Sequence, residues 1–369
     1  MAERVYWHVG LPKTGTTYLQ QILWANTDAL AAEGITMPGR GHREHLWAAL
    51  DMQDDPSLAR RDARATGAWE RLAAQTEAAS GTVLLSHEFF SAATTEQAQR
   101  AADRLAPAEI HLVVTARDAA GMLAAGWQES VKNGAVRGLR STAERDQQGG
   151  HFGWWVWDLE QVLRRWLPVV DAERIHVLPV PDRSEGPDQH WHQFARTIGL
   201  QGRCVMPQRP LNQSLGVVQV EALRKVNAHR TGFDTALERG EWLRGYLGED
   251  HLARQSGGGR LLLDDDLFEE CRERSLRAHQ LVTERGIDVV GDPARLAGPT
   301  SPSGDRTVGS VTPLEVADAL AELVGTMLHD VRDRTVARNA TPAVAPALAV
   351  ADGSLLSRVR GRWDRLRNS

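Results

Sequence analysis

The stretch "VYWHVGLPKTGTTYLQQIL" (residues 5–23) decides how this chain folds. It reads as a short apolar strand, a turn that contains Gly10 and Gly15, and a hydroxyl-rich helix start. Such a unit can hold an anion, because unpaired backbone N–H groups and the positive end of the helix dipole meet there. A Walker loop places its lysine directly after the second glycine. Here Thr16 takes that position and Lys13 lies inside the loop, which disfavours an ATP or GTP site.

The composition excludes several classes of protein. The chain has 369 residues, 42% of them hydrophobic, and a formal net charge of −5. This balance gives no reason to expect a surface for nucleic acid, so an anion site must be local. Cys204 and Cys271 are too few for a disulfide framework and have no metal-ligand spacing. No signal peptide or membrane-spanning run is evident, so we expect a cytoplasmic protein.

Apolar segments alternate with helical stretches over the first 200 residues. The predicted strands are Val5–Gly10, Thr82–Ser86, Ile110–Thr115 and Ile175–Val180, and the predicted helices span 58–80, 119–132, 155–167 and 188–198. This alternation predicts an α/β fold, with a parallel β-sheet flanked by helices. Ligands bind beyond the carboxyl ends of such strands. The expected site is therefore formed by the loops "GLPKTGTT", "HEFF", "ARDAAG" and "PVPDRS".

The composition of the sequence changes after Leu296, where residues rich in Pro, Gly and Ser begin. We predict one domain over 1–297, followed by a helical C-terminal extension. The extension divides into a Pro/Gly/Ser linker (298–312), an amphipathic helix (313–334), a Pro/Ala linker (335–353) and a basic amphipathic tail helix (354–369).

The loop "PKTGTT" resembles the 5′-phosphosulfate loop of sulfotransferases that use 3′-phosphoadenosine 5′-phosphosulfate (PAPS), a family in which the lysine lies inside the loop. Residues 174–182 and 190–200 also look like the later part of bacterial members, and the resemblance covers about residues 4–296. It implies a P-loop NTPase-like sulfotransferase fold. It also implies that PAPS, or its product PAP, is held by Pro12, Lys13, Thr14, Gly15, Thr16 and Thr17.

A second segment, "LVVTARDAAGMLAAGWQ" (112–128), resembles the part of the family that holds the 3′-phosphate with an arginine and a serine eight residues later. Arg117 matches the arginine, but Ala125 stands where the serine belongs. We expect the missing contact to come from Lys132 or from the loop "QRPLNQSLG" (208–216), with Arg209, Asn212 and Ser214. Ser214 is also suited to cap the helix that follows.

The third match is "VLLSHE" (83–88), because the family often carries its catalytic base after this strand, as histidine or as glutamate. His87 and Glu88 are adjacent here. Neighbours in an extended chain point to opposite sides, so one of them is expected to face the acceptor. We favour His87, and a structural role for both stays open.

The resemblance implies an enzyme that moves a sulfuryl group from PAPS to a hydroxyl or amine by in-line displacement. The acceptor is a small molecule, carbohydrate or lipid that the sequence does not identify; residues 36–57, with Trp47, and 133–153 are its expected walls. Sulfuryl transfer from PAPS needs no metal, and "GHREH" (41–45) and "HWH" (190–192) lack further convergent ligands. One alternative is a P-loop kinase, which needs the Walker lysine and a magnesium-holding acid. Another is a non-catalytic PAP(S)-binding scaffold, which Ala125 favours.

The tail "SLLSRVRGRWDRLRNS" (354–369) places apolar side chains on one helical face and arginines on the remainder. This pattern is typical of a helix that docks on protein or lies on a membrane surface. We expect contact with protein, such as a second copy in a homo-oligomer, ahead of contact with a membrane.

Overall fold

The computed structural model describes residues 1–58, 61–186, 188–207 and 214–340. The expected phosphate ligands Arg209 and Asn212, and the whole tail helix 354–369, lie outside the described residues. The predictions made for them therefore stay predictions.

The centre of the fold is one six-stranded parallel sheet in the order β2–β3–β1–β4–β5–β6. The strands are β1 Ala2–His8, β2 Ile35–Thr36, β3 Gly81–Ser86, β4 Glu109–Ala116, β5 Ile175–Pro179 and β6 Asp288–Val289. The four predicted strands are confirmed with shifted ends. β1 ends at His8, so Gly10 belongs to the loop. The predicted α/β class is thus confirmed, and the two short outer strands are additions to the prediction.

The strand order identifies where a ligand would lie. After β1 the chain continues toward β2 and β3, whereas after β4 it continues toward β5 and β6 on the other side. The connections therefore diverge between β1 and β4, and in open α/β sheets this switch point at the carboxyl edge is the usual ligand position. The loop after β1 and Arg117 after β4 flank it.

Helices cover the sheet. They are α1 Thr16–Ala25, α2 Thr27–Ala32, α3 His42–Met52, α4 Ala68–Ala78, α5 Thr95–Leu105, α6 Ala119–Lys132, α7 Leu139–Ala143, α8 Trp154–Trp157, α9 Leu159–Trp166, α10 Gln189–Thr197, α11 Val217–His229, α12 Ala236–Glu238, α13 Asp265–Glu284, α14 Ala294–Ala297 and α15 Pro313–Ala340, with a π-helix at Arg239–His251. None of these described helices combines the length and apolarity needed to cross a membrane.

Two predicted helices differ from the prediction for local reasons. In the described part of the stretch 58–80, a 3₁₀ turn at Ala63–Ala65 precedes α4, which begins only after Gly67, a residue in a left-handed conformation. The stretch 155–167 is divided at Asp158, whose carboxylate accepts N–H bonds from the first turn of α9 and so caps it.

The C-terminal boundary also differs from the prediction. The compact unit runs from Met1 to Leu320, and a second unit begins at Ala321. The expected linker 298–312 belongs to the first unit, because Arg306 accepts an N–H bond from Leu262 and pairs with Glu315. α15 continues to Ala340, so residues 335–340 are helical rather than linker.

Candidate functional site

The loop after β1 offers a row of unused backbone donors. Within the described residues, the N–H groups of residues 13–17 donate to no backbone carbonyl outside a helix. Lys13 (φ 66°) and Gly15 (φ 83°) are both left-handed, and Thr16 begins α1. Successive free N–H groups at a helix start form a concave site for an anion. A left-handed lysine is uncommon, and strain of this kind concentrates at functional sites.

The loop is held in place from beneath by buried side chains. The Thr14 hydroxyl donates to the Leu11 carbonyl (2.6 Å) and lies 2.7 Å from the Thr115 hydroxyl on β4. The His190 ring nitrogen Nε2 donates to the Thr14 carbonyl (2.9 Å). Thr14 is fully buried. Its hydroxyl therefore fixes the loop, and a contact from Thr14 to the donor would have to come from its backbone N–H.

His8 joins three strands directly under this loop. Its Nδ1 lies 2.8 Å from the Ser86 hydroxyl on β3 and its Nε2 lies 3.3 Å from the Thr115 hydroxyl on β4. Burial lowers the pKa of His8 to about 3, so the ring is neutral at physiological pH. A Cβ on Gly10 would lie 2.7 Å from this ring and 2.5 Å from the Thr115 hydroxyl, so only glycine fits there. A histidine inside the apolar strand "VYWHVG" was the available signal, and sequence reasoning missed it.

Lys13 reaches from the loop to the last turn of α6. Its Nζ lies 3.1 Å from Glu129 Oε2, and its side chain is 37% exposed. Glu129 Oε1 accepts a bond from the Asn133 amide (3.0 Å) and lies 3.5 Å from Arg244 on the π-helix. The lysine is thus accessible and held by one carboxylate that other donors share. No motif indicated that Glu129 would pair with both Lys13 and Arg244.

The residues expected to hold a 3′-phosphate are spread along α6. Arg117 precedes the helix and lies against Gly121, where a Cβ would stand 2.3 Å from its Nε. Lys132 is in the last turn, so about 20 Å of helix separates the two ends. Arg117 and Lys132 therefore lie at opposite ends of α6, which makes Lys132 a poor substitute for the serine absent at Ala125.

Ser214 does not cap the helix that follows it. α11 begins at Val217 with Gly216 in the cap position, and the first N–H groups bond to Gly258 and Gly259 carbonyls. Ser214 is exposed, so its hydroxyl is left available. The adjoining Leu215 carbonyl accepts a bond from Gln128 (2.9 Å), which brings this end of the loop beside α6.

His87 and Glu88 lie after β3, at the same edge of the sheet. Glu88 Oε2 accepts a bond from the Gln20 amide on α1 (3.1 Å), so the carboxylate sits beside the helix that the anion-binding loop begins. Its side chain is 18% exposed. Burial raises the pKa of Glu88, but its own backbone N–H and the Gln20 amide stabilise the ionised carboxylate, and the net shift is downward, to about 2. Glu88 is therefore ionised at neutral pH.

The hydrogen bonds of His87 fix which ring nitrogen carries the proton. Its Nδ1 accepts the Phe89 N–H (3.1 Å) and so caps the 3₁₀ turn Glu88–Ala92. Burial lowers the pKa of His87 to about 3, which keeps the ring neutral. A neutral ring that accepts at Nδ1 carries its proton at Nε2. His87 therefore presents a donor, and the one lone pair a base would need is already occupied.

His42, His87 and Glu88 are also close enough to be considered as metal ligands. Their ligand atoms lie within 4.8 Å of one another, and this is the one such group among the described residues. A metal would need a lone pair from His87, but Nδ1 accepts the Phe89 N–H and Nε2 carries the proton. In this arrangement His87 therefore offers no lone pair to a metal, and the expectation that no metal is required stays a prediction.

Two of the expected acceptor walls meet beside this pair. His151 Nε2 lies 3.0 Å from Asp55 Oδ2, and the His151 ring stacks on Phe89 with centroids 4.3 Å apart. This contact joins the segments 36–57 and 133–153 next to His87. Trp47, in contrast, is 6% exposed and packs in the core rather than lining a wall.

A buried arginine anchors the turn that carries Glu88. Arg165 on α9 donates to the carbonyl of Ser91 within that turn (2.8 Å) and to the carbonyl of Ala93 directly after it (3.0 Å). Its guanidinium also lies 3.8 Å from the Trp155 ring centroid. Each carbonyl thus gains a charged donor, a stronger contact than a neutral hydrogen bond. The turn is fixed from the inside of the molecule.

The fold and the site together define an α/β protein with a loop of unpaired backbone N–H groups at the switch point of a parallel sheet. No protein-family model matches the chain, and no curated protein matches it. Among solved structures, a sulfotransferase domain from the curacin biosynthetic pathway aligns with 78% of this chain and 99% of that domain, at 10% identity and a TM-score of 0.32. An alignment at this level carries no argument about activity.

Proposed function

We propose that this protein is a PAPS-dependent sulfotransferase that moves a sulfuryl group to a hydroxyl or amine. One observation carries the proposal: the loop after β1 has free N–H groups at residues 13–17 and its lysine inside the loop. Thr16 occupies the position where a Walker loop has lysine. This arrangement supports a phosphosulfate donor and argues against the alternative P-loop kinase.

PAPS, when bound, supplies the sulfuryl group and a phosphate leaving group. The N–H groups at residues 13–17 bind the 5′ end of the donor, and Gly10 allows close backbone approach. Lys13 is accessible and reaches across the loop. Its ammonium stabilises the charge that builds on the departing oxygen, the kind of contribution that is often the largest in catalysis. Arg117 binds the 3′-phosphate, with help from Arg209 and Ser214.

Glu88 is the general base in this proposal. Its carboxylate is ionised and sits beside α1, whereas His87 has no free lone pair. His87 instead donates from Nε2 and orients the acceptor oxygen or nitrogen. The sequence favoured His87 as the base. We assign the base to Glu88 instead, because the Phe89 N–H occupies the lone pair on His87 Nδ1. Both residues keep a role, and the proton goes to Glu88.

One calorimetric experiment separates the candidate functions. Titration with PAP in the absence of magnesium should give binding, and titration with magnesium–ATP should give none. The reverse result would support the kinase. Transfer of label from ³⁵S-labelled PAPS to a library of hydroxyl and amine acceptors then separates an enzyme from a PAP-binding scaffold. PAP binding without transfer to any acceptor would support the scaffold.

The remaining expectations belong to this proposal unchanged. The protein acts in the cytoplasm, and the tail 354–369 contacts a second copy or a membrane surface. Removal of the residues after Gly353 should leave turnover on a small acceptor nearly unchanged while reducing oligomer size or binding to anionic vesicles. Loss of transfer with normal PAP binding would instead show that the tail covers the active site.

A further inference from the structure

A buried lysine near the candidate site has no direct partner. Lys132 is 6% exposed. Within the part of the chain that the structure describes, its ammonium donates no hydrogen bond, and no carboxylate oxygen lies within 4.0 Å of its Nζ. The Nζ atom itself keeps some contact with solvent. Lysines are almost never buried to this extent unless they are paired. Lys132 is therefore a buried cation with no directly bonded anion among the described residues.

Two further cations converge on the same place. Lys13 Nζ and Arg244 Nη1 both approach Glu129, at 3.1 Å and 3.5 Å. Lys132 follows Glu129 by three residues and so shares its face of α6. The Arg244 Nε is buried without an acceptor. Three positive groups thus face two carboxylates: Glu129, whose side chain is 15% exposed, and Glu249, which is 43% exposed and lies 3.9 Å from the Arg244 Nε.

The π-helix Arg239–His251 builds one side of this cluster. The Lys132 Cγ lies 3.7 Å from the point where a Cβ of Gly248 would stand, so the lysine stem packs against that helix. π-helical turns are rare and are often found at functional sites. Here the π-helix places Arg244 beside α6, and Gly248 lies against the Lys132 stem.

Repulsion between like charges destabilises this cluster. Burial lowers the pKa of the Lys132 ammonium, and the charges of Lys13 and Arg244 lower it further, against the opposing effect of Glu129 and Glu249. An anion at this position would offset that repulsion. An arginine fork with an adjacent ammonium suits a carboxylate or a phosphate ester.

We propose that Lys132 and Arg244 form a subsite for an anionic group on the acceptor. Lys13 extends from the donor loop to Glu129, so the subsite lies beyond the end of the Lys13 side chain and not at the Arg117 end of α6. The acceptor is then a hydroxyl or amine compound that also carries a carboxylate or phosphate ester. Its description as an acceptor rests on the proposed sulfotransferase function. The anion subsite itself does not depend on that function, because it is inferred from the burial of Lys132 and the positions of Lys13 and Arg244.

The subsite is tested by titrating PAP-saturated protein with inorganic phosphate and, separately, with acetate. The variants are Lys132→Met, which keeps the stem, and Arg244→Gln. The matched control is Lys225→Met, because Lys225 is exposed and is the third of only three lysines in the chain. We expect phosphate, acetate or both to bind at least fivefold more weakly to Lys132→Met and Arg244→Gln, and equally to wild type and Lys225→Met. The stronger of the two probes indicates whether the group is a phosphate ester or a carboxylate.

Equal anion affinity in wild type and both site variants would overturn the proposal. So would abolition of phosphate binding by PAP, since the cluster would then belong to the nucleotide. If PAP does not bind at all, the sulfotransferase proposal fails separately, and the subsite is tested on the nucleotide-free protein. There the two site variants should lose one class of phosphate sites that Lys225→Met retains, and retention of that class would overturn the subsite. Far-UV circular dichroism and the melting temperature verify that each variant is folded.

Discussion

The loop after β1 and the segment after β4 flank the same switch point, but they are built differently. The first is fixed by buried hydrogen bonds from Thr14, Thr115 and His190. In the second, Arg117 is 43% exposed and, in the described ranges, its closest charged partner is Asp118 at 3.9 Å. Under the proposed function, the reacting end of the donor would be held by a preorganised loop, and the 3′ end of the nucleotide by a side chain that can adjust.

The largest expected effect concerns the base. Glu88→Gln should reduce turnover by about 10²–10⁴, since a general base contributes in that range. PAP affinity should stay within about twofold of wild type, because the base does not touch the nucleotide in this proposal. His87→Asn keeps an acceptor for the Phe89 N–H and should cost less than about tenfold. Steady-state transfer from labelled PAPS measures both. A Glu88→Gln enzyme with wild-type turnover, alongside an inactive His87→Asn enzyme, would assign the base to His87.

Lys13→Ala tests the preorganised loop at its charged end. Turnover should fall by roughly 10² or more, the usual loss when one electrostatic stabiliser is removed. The loss of PAP affinity should be smaller, because the backbone N–H groups remain. Rates at saturating PAPS, with Lys225→Ala as the control, give the comparison. Wild-type turnover in Lys13→Ala would remove Lys13 from the mechanism.

Arg117→Ala tests the adjustable segment. A hydrogen bond to a charged group is worth about 1.5–3 kcal/mol, so the Kd for PAP should rise by roughly 10–100-fold. Turnover at saturating PAPS should change little. Calorimetry with PAP and with ADP, which lacks the 3′-phosphate, separates the contributions. If Arg117→Ala weakens ADP as much as PAP, Arg117 does not read the 3′-phosphate.

Acidification should act on the side chains beneath and beside the first loop. Burial lowers the pKa of His8 and His87 to about 3 and that of His45 to about 4, against 6.5 for an exposed ring. The unfolded chain therefore binds more protons below pH 6.5, and the free energy of unfolding falls as the pH drops from 6.5 toward 4. The upper limit is about 1.4 kcal/mol per pH unit for each ring. Urea midpoints between pH 7.5 and 5 measure the slope.

A matched pair of variants assigns that slope. His45→Gln removes one buried ring and should make the slope shallower, whereas His192→Gln changes an exposed ring and should leave it unchanged. A wild-type midpoint that does not change between pH 7.5 and 5 would show that these rings are not held neutral by burial.

The smallest expected effect is a gain. Ala125→Ser restores the hydroxyl that the family pattern places on α6, and one added hydrogen bond is worth about 0.5–1.5 kcal/mol. PAP should bind about twofold to tenfold more tightly, while ADP binding should not change. Equal gains for both nucleotides, or none for PAP, would mean that the 3′-phosphate does not lie near residue 125.

Local pattern was sufficient for the four inner strands and for the loop after β1, since each depends on residues that are adjacent in sequence; the two-residue outer strands β2 and β6 are too short to give such a pattern. The supports of the loop were not predictable in this way. His190 bonds to Thr14 across 176 positions, and Lys13 meets Glu129 across 116. The order of His87 and Glu88 as candidate bases also depended on one backbone N–H bond, which no residue pattern specifies.

The family resemblance ends near Leu296, but the compact unit continues through the segment 298–320. Val311, Val316 and Leu320 pack with Ala319 against Val218 and Ala222 on α11. A gene shortened at Leu296, where the family resemblance stops, would therefore uncover the apolar face of the helix that directly follows the loop 208–216. A shortened protein made for crystallisation or for domain transplantation should therefore keep residues 298–320, although much of this segment looks like a linker in the sequence.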